Sequence, residues 1–255
     1  MICHFKELGR GRPLVFLHGL FGSGDNLAPI ARGLEGYHSY LLDLPNHGKS
    51  PNLTSMTIPT LAQVVLNTME ALGLEQPALV GHSLGGKVAM ELALEYPEAL
   101  GALVVMDIGP LGSSPRYRSY LEAMQDLPLD QYSGRQEALA ALTEAIPDPL
   151  LRGFFGKSLA TAPEGLYWQF GLEGIEAGFE EIWQSLEEGR EYLGPTLILR
   201  GESSDYLSPE QETAIEPLFP AHKVETVPNA GHWLHADNPK GVMASLQKFL
   251  DDFIF

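Results

Sequence analysis

Residues 78–90 read Ala-Leu-Val-Gly-His-Ser-Leu-Gly-Gly-Lys-Val-Ala-Met, an apolar run that breaks at a serine between glycines and resumes with helical character. The pattern predicts a buried strand, a sharp turn with Ser83 at its tip, and a buried helix. Strand and helix nearly touch at such a turn, so only small residues fit two places before and two places after the serine; Gly81 and Gly85 stand there. The turn lifts the serine oxygen clear of the sheet, and the free N–H groups at the helix start face any negative charge that develops beside it. Ser83 is the candidate nucleophile.

The flanking chain has the rhythm that such a turn requires. Residues 13–17 form a short apolar run that empties into a glycine-rich loop, His18 to Gly24. A loop of this kind at the carboxyl edge of a parallel sheet offers a backbone N–H towards the serine, which assigns Leu20 and Leu84 as the pair of oxyanion donors, with Phe21 the neighbouring choice. His18 is expected to hold its loop by a hydrogen bond, and His47, in a Pro- and Gly-bounded turn, to shape that turn. A short helix over 26–34 and a strand over 38–43 follow. Ile58, Leu61, Ala62, Val65, Leu66, Met69 and Leu72 recur at helical spacing, and Gly73 ends that helix. After the serine turn comes another apolar strand, 102–106, ending at Asp107. Strand and helix alternate, so the expected fold class is α/β, with a mostly parallel central sheet covered by helices on both faces.

From 111 to 194 the rhythm changes. Pro, Gly, Glu and aromatic residues accumulate, and helical segments at 135–146 and 179–189 appear without intervening strands. An all-helical insertion is expected, dividing the chain into a core of residues 1–110 and 195–255 and an inserted unit of 111–194. Its aromatic residues Tyr117, Tyr120, Phe154, Phe155, Tyr167, Trp168, Phe170, Phe179 and Trp183 are expected mostly to pack the insertion itself, with some lining an apolar pocket over Ser83. The sheet resumes at 195–200 and 223–227. A final helix is capped by Asn238, has Pro239 in its first turn, and carries Val242, Met243, Leu246, Phe249, Leu250 and Phe253 on one face.

Composition excludes several classes. Sixteen basic against thirty-three acidic residues leave a net charge of −17, which repels nucleic acid and anionic lipid. No apolar run reaches the ~18 residues of a membrane span, and residues 1–7 lack the apolar core of a signal peptide, so the cytoplasm is the expected location. The single cysteine, Cys3, rules out an intrachain disulfide and a cysteine-based metal site.

A serine hydroxyl needs a histidine to take its proton and a carboxylate to fix that histidine's tautomer. His232 fits best, in the glycine-bounded loop after the last strand; His235 is its competitor. Together His18-Gly19, Asn46-His47-Gly48, residues 81–87 and Asn229-Ala230-Gly231-His232-Trp233 resemble the α/β-hydrolase superfamily, and within it the small YbfF-type bacterial esterases. The resemblance spans residues 13–110 and 195–255, and the insertion matches the family's cap in placement after the sixth family strand. It implies a cofactor- and metal-free serine hydrolase that cleaves small carboxylic esters through an acyl-enzyme, acting as a monomer or homodimer. Acyl-CoA thioesterase is one alternative, with Arg116 and Arg118 as local basic residues, and a triad-retaining small-molecule receptor is another. For the acid, Asp205 after the seventh family strand is the expected residue, with Asp107 after the sixth as the alternative.

Overall fold

The computed structural model describes residues 1–252; Phe253, placed above on the last helix, lies outside the described residues. In chain order the elements are β1 Phe5–Gly9, β2 Arg12–Leu17, α1 Ala28–Arg32, β3 Tyr37–Leu42, α2 Ile58–Ala71, β4 Ala78–His82, α3 Leu84–Glu95 and β5 Ala102–Met106. Between β5 and the next strand of the main sheet lie α4 Arg118–Gln125, α5 Arg135–Ala141, α6 Pro149–Gly156, β6 Leu159–Ala162, β7 Gly165–Trp168 and α7 Leu172–Ala177. The chain closes with β8 Thr196–Gly201, α8 Pro209–Ile215, β9 His222–Val227, α9 Leu234–Asp237 and α10 Pro239–Asp252.

The main sheet has seven strands in the order β1-β3-β2-β4-β5-β8-β9. All neighbours are parallel except β1, which lies antiparallel on β3 with Phe5 opposite Leu42. Strand alternation sorts the side chains between two cores. Val15, Leu17, Leu79, Leu103, Val105 and Ile198 face α2 and α3, whereas Leu14, Phe16, Val80, Val104, Leu197 and Leu199 face α1 and α10. The first core continues without a break into the intervening segment through Leu121, Phe155, Phe170 and Phe179. From β2 the chain steps to β3 on one side and then to β4 on the other. The order of strands reverses there, which opens a crevice at the carboxyl ends of β2 and β4, where α/β sheets bind ligands.

Three expectations need correction. Strand β1 lies in a stretch for which the sequence suggests no element; it is an edge strand whose Lys6 and Glu7 are exposed, so no strong apolar alternation marks it. The intervening segment is not all-helical, because Leu159–Ala162 and Gly165–Trp168 form an antiparallel hairpin with Ala162 opposite Gly165. Gly165 sits at φ +127°, a backbone state that side chains other than glycine resist, and this closes the two-residue turn. The helix expected over 179–189 is only a single 3-10 turn, Glu181–Trp183, because Gln184 turns extended and the Leu186 N–H docks onto the Pro110 carbonyl at 2.9 Å.

Candidate active site

Ser83 stands between β4 and α3 at φ 52°, ψ −118°, outside the regions that ordinary residues occupy. Its N–H is tied to the Met106 carbonyl at 3.0 Å, and the Lys87 N–H returns to the Ser83 carbonyl at 3.0 Å, so both sides of the turn hold the strained conformation. A Cβ on Gly81 would run into the Gly85 carbonyl, and one on Gly85 into the Leu17 and His18 carbonyls. The glycines are what allow strand, helix and neighbouring loop to close around the serine.

The Ser83 Oγ lies 3.0 Å from His232 Nε2, and His232 Nδ1 lies 2.8 Å from Asp107 Oδ2. His232 is carried by the loop between β9 and α9. Its backbone carbonyl accepts from His82 Nε2 at 2.8 Å, which ties this loop to the residue just before the nucleophile. Asp107, fully buried and at φ 58°, follows β5 directly. Its Oδ1 accepts the Gly201 N–H at 2.8 Å, and its Oδ2 accepts from the Ser204 hydroxyl as well as from His232. Four loops at the carboxyl edge of the sheet thus converge on one hydrogen-bonded row.

The carboxylate beside His232 is that of Asp107 and not, as expected, that of Asp205. Asp205 does not touch His232. Its side chain is 77% exposed and grips Arg116 at 3.0 and 3.1 Å, and this ion pair lowers its pKa. The loop after β8 points Ser204 inward to Asp107 and Asp205 outward, so the later aspartate is turned away from the histidine. Between them Tyr206 lies flat on the His232 ring, with centroids 3.5 Å apart and planes 12° apart, while Arg116 covers the other face of Tyr206 at 4.1 Å. The Tyr206 hydroxyl meets that of Tyr117 at 2.9 Å. No sequence signal marked this stack.

His18 and His47 serve the loops. His18 donates from Nδ1 to the Gly19 carbonyl at 2.8 Å and accepts the Leu44 N–H on Nε2 at 2.9 Å. His47 donates from Nδ1 to the Pro45 carbonyl at 2.9 Å and accepts the Phe21 N–H on Nε2 at 3.0 Å. Each ring needs one bare nitrogen for this, and burial supplies it by pushing the His18 pKa down to about 4 and that of His47 to about 3. His235 packs against His82 with ring centroids 4.5 Å apart, and burial, reinforced by His232, lowers its pKa to about 4.

The Phe21 N–H is taken by His47, whereas Leu20 lines the clefts on both sides of the serine. Leu84 opens α3, where a first-turn N–H has no partner within its helix. One cleft is walled by His232, Trp233, Phe154 and Phe155, the other by Leu84, Lys87, Ile108 and Trp183, and Tyr117 borders both. Among the aromatic residues singled out from sequence, Phe170 and Phe179 are buried in the core and Tyr167 is exposed. Arg116 and Arg118 are both engaged, the first by Asp205 and the second by Glu176 at 2.5 Å and Glu180 at 2.6 Å. Among the described residues no helix is long and apolar enough to cross a membrane.

A seven-stranded, mostly parallel sheet with a serine elbow at its switch point defines the class: residues 12–239 match the family model of the alpha/beta hydrolase fold, and the chain belongs to that family. Within it, the chain is 36% identical over 255 residues to a Danio rerio protein named sn-1-specific diacylglycerol lipase ABHD11, covering 96% of this chain and 80% of that one. It is 29% identical over 244 residues to Esterase YbfF of Escherichia coli (strain K12), covering 94% and 93% of the two chains. A solved structure described as a marine microorganism esterase superposes with a TM-score of 0.93 at 32% identity, covering 97% of this chain and 99% of that one. The YbfF-type likeness read from four short motifs thus extends along nearly the whole chain.

Proposed function

We propose that this carboxylesterase-type hydrolase cleaves small carboxylic esters through an acyl-enzyme at Ser83, with His232 as base and then acid, and Asp107 as the orienting carboxylate. The reading rests above all on the row Ser83 Oγ, His232 and Asp107, joined at 3.0 and 2.8 Å with the nucleophile at positive φ. As Ser83 Oγ bonds to the acyl carbon, its proton passes to His232 Nε2, and the Leu20 and Leu84 N–H groups receive the oxyanion. The C–O bond to the alcohol then breaks, and His232 returns the proton to the departing alkoxide. Water repeats the sequence on the acyl-enzyme, releasing the acid and restoring Ser83. Asp107 holds Nδ1 protonated throughout, so that Nε2 faces the serine with its lone pair. Residues 111–194 serve as the cap over this site, contributing Tyr117, Phe154, Phe155 and Trp183 to its walls.

The test is hydrolysis of p-nitrophenyl esters across chain lengths by wild type and Ser83→Ala, with labelling by a fluorophosphonate. Turnover and label should both vanish in the variant. Undiminished turnover by Ser83→Ala would overturn the reading.

A further inference from the structure

Lys87 lies one turn into α3 from Ser83, on the wall of the cleft that leads from the nucleophile towards Ile108, Ile182 and Trp183. It is 3% exposed, and among the described residues its ammonium makes a single hydrogen bond, to the Leu111 carbonyl at 3.3 Å. An ammonium carries three donors, and burying one without a counter-charge is unfavourable. The carboxylate four residues on, Glu91, is held instead by Arg190 at 2.9 Å. Burial accordingly pulls the Lys87 pKa down to about 8. Trp183 lines the same cleft, and its indole N–H is buried with no acceptor among the described residues. One under-satisfied ammonium and one unpartnered indole N–H thus belong to residues that line the same cleft, whose other walls are largely apolar. An occupant that satisfies both must bring an acceptor oxygen, and a negative one answers the lysine best.

The position of His232 decides which half of the substrate lies here. The leaving alcohol must sit beside His232 Nε2 to receive its proton, and His232 borders the opposite cleft with Trp233 and Phe154. The Lys87 cleft is left for the acyl chain. Building on the serine-hydrolase reading above, we infer that the acyl half of the preferred substrate ends in a carboxylate held by Lys87 and Trp183, which makes monoesters of short dicarboxylic acids the substrate class.

The test compares kcat/KM for monoethyl succinate, glutarate and adipate with ethyl butanoate, pentanoate and hexanoate, followed by acid release in a pH-stat. The wild-type enzyme should favour at least one hemiester over its neutral partner by about tenfold or more, chiefly through KM. Lys87→Met should bring that ratio to about one. Trp183→Phe, which keeps an aromatic side chain but removes the indole N–H together with one of its two rings, should lower it roughly threefold and provides the test if Lys87→Met fails to fold. A wild-type ratio at or below one overturns the inference while leaving the serine-hydrolase reading intact, as does a ratio that neither variant lowers. Failure to hydrolyse any of the six esters overturns both.

Discussion

Replacing each candidate acid by asparagine separates Asp107 from Asp205 without changing side-chain size. At position 107 the carboxylate is wholly buried, with one oxygen on the Gly201 N–H at 2.8 Å and the other shared by the Ser204 hydroxyl and His232 Nδ1. In Asp107→Asn the amide oxygen keeps the Gly201 N–H, since the opposite flip would press two donors together in a dry site at a cost of about 1–3 kcal/mol. The amide NH2 then faces His232 Nδ1, which can only accept, so the ring proton moves to Nε2 and confronts Ser83 Oγ at 3.0 Å. A base protonated on its working nitrogen cannot take the serine proton. The expected loss in kcat is on the order of 10⁴, equivalent to about 5 kcal/mol of barrier, with little change in Tm. Asp205→Asn removes an ion pair from a side chain that is 77% exposed, where such pairs contribute about 1 kcal/mol or less, so kcat should fall by less than about fivefold. Steady-state ester hydrolysis of the two variants beside wild type is sufficient. Comparable losses at both positions, or a larger loss at Asp205, would refute the assignment.

Acid should destabilise the fold through its buried histidines. His18 and His235 have pKa values lowered to about 4, His47 to about 3, and His82 well below the ordinary 6.5, all chiefly by burial. The unfolded chain binds the extra protons first, so stability is complete above pH 6.5 and is lost as pH falls towards 4. Between pH 7.5 and 5.5 each histidine should remove about 1 kcal/mol, and thermal unfolding should show a Tm lower by roughly 10 °C; a flat profile would contradict it. Gly85→Ala, whose Cβ meets the Leu17 and His18 carbonyls, should cost about 2 kcal/mol or more and lower Tm by roughly 5 °C while displacing Ser83; an unchanged melting curve would show the contact to be slack. With Arg116 and Arg118 both engaged by carboxylates and a net charge of −17, acyl-CoA should be hydrolysed at least roughly tenfold less efficiently than the ethyl ester of the same acid. Equal kcat/KM for the two would return the thioesterase alternative to first place.

What could be read from the chain was whatever local periodicity and turn chemistry carry. The strand, elbow and helix at 78–95, the amphipathic spacing of α2 and the Asn238–Pro239 start of α10 are all local, and all are present. The hairpin at 159–168 was missed because four-residue strands are too short to show an alternation against surrounding aromatic residues. The end of the chain's second helical expectation, at 179–189, was overruled by the contact of Leu186 with Pro110, which is tertiary. Which of Asp107 and Asp205 lies beside His232 is not legible in the sequence, for a geometric reason. Each follows a parallel strand, β5 or β8, and sequence position states only that both reach the same edge of the sheet. Which one turns inward depends on the left-handed backbone at Asp107 and on the Gly201 N–H waiting across β8.

The displaced candidate has its own place in the arrangement. Asp205 holds Arg116, Arg116 lies over Tyr206, and Tyr206 lies over His232, so the carboxylate is linked to the histidine only through two stacked planes. Arg116 and Tyr117 belong to the first residues of the segment that leaves β5, whereas Asp205 and Tyr206 belong to the loop after β8; ion pair and hydroxyl contact pin the entrance of the intervening segment to the loop beside the imidazole. Asp107 meets the imidazole at Nδ1 and Ser83 Oγ meets it at Nε2, so its edge is held at both nitrogens while its face is left to other contacts. Tyr206 covers that face, and Arg116 lies in turn over Tyr206. On the reading proposed above, Asp107 sets the tautomer of His232, whereas Asp205, from an exposed position, only anchors the Arg116 that lies over Tyr206, which is why its loss should cost so little turnover.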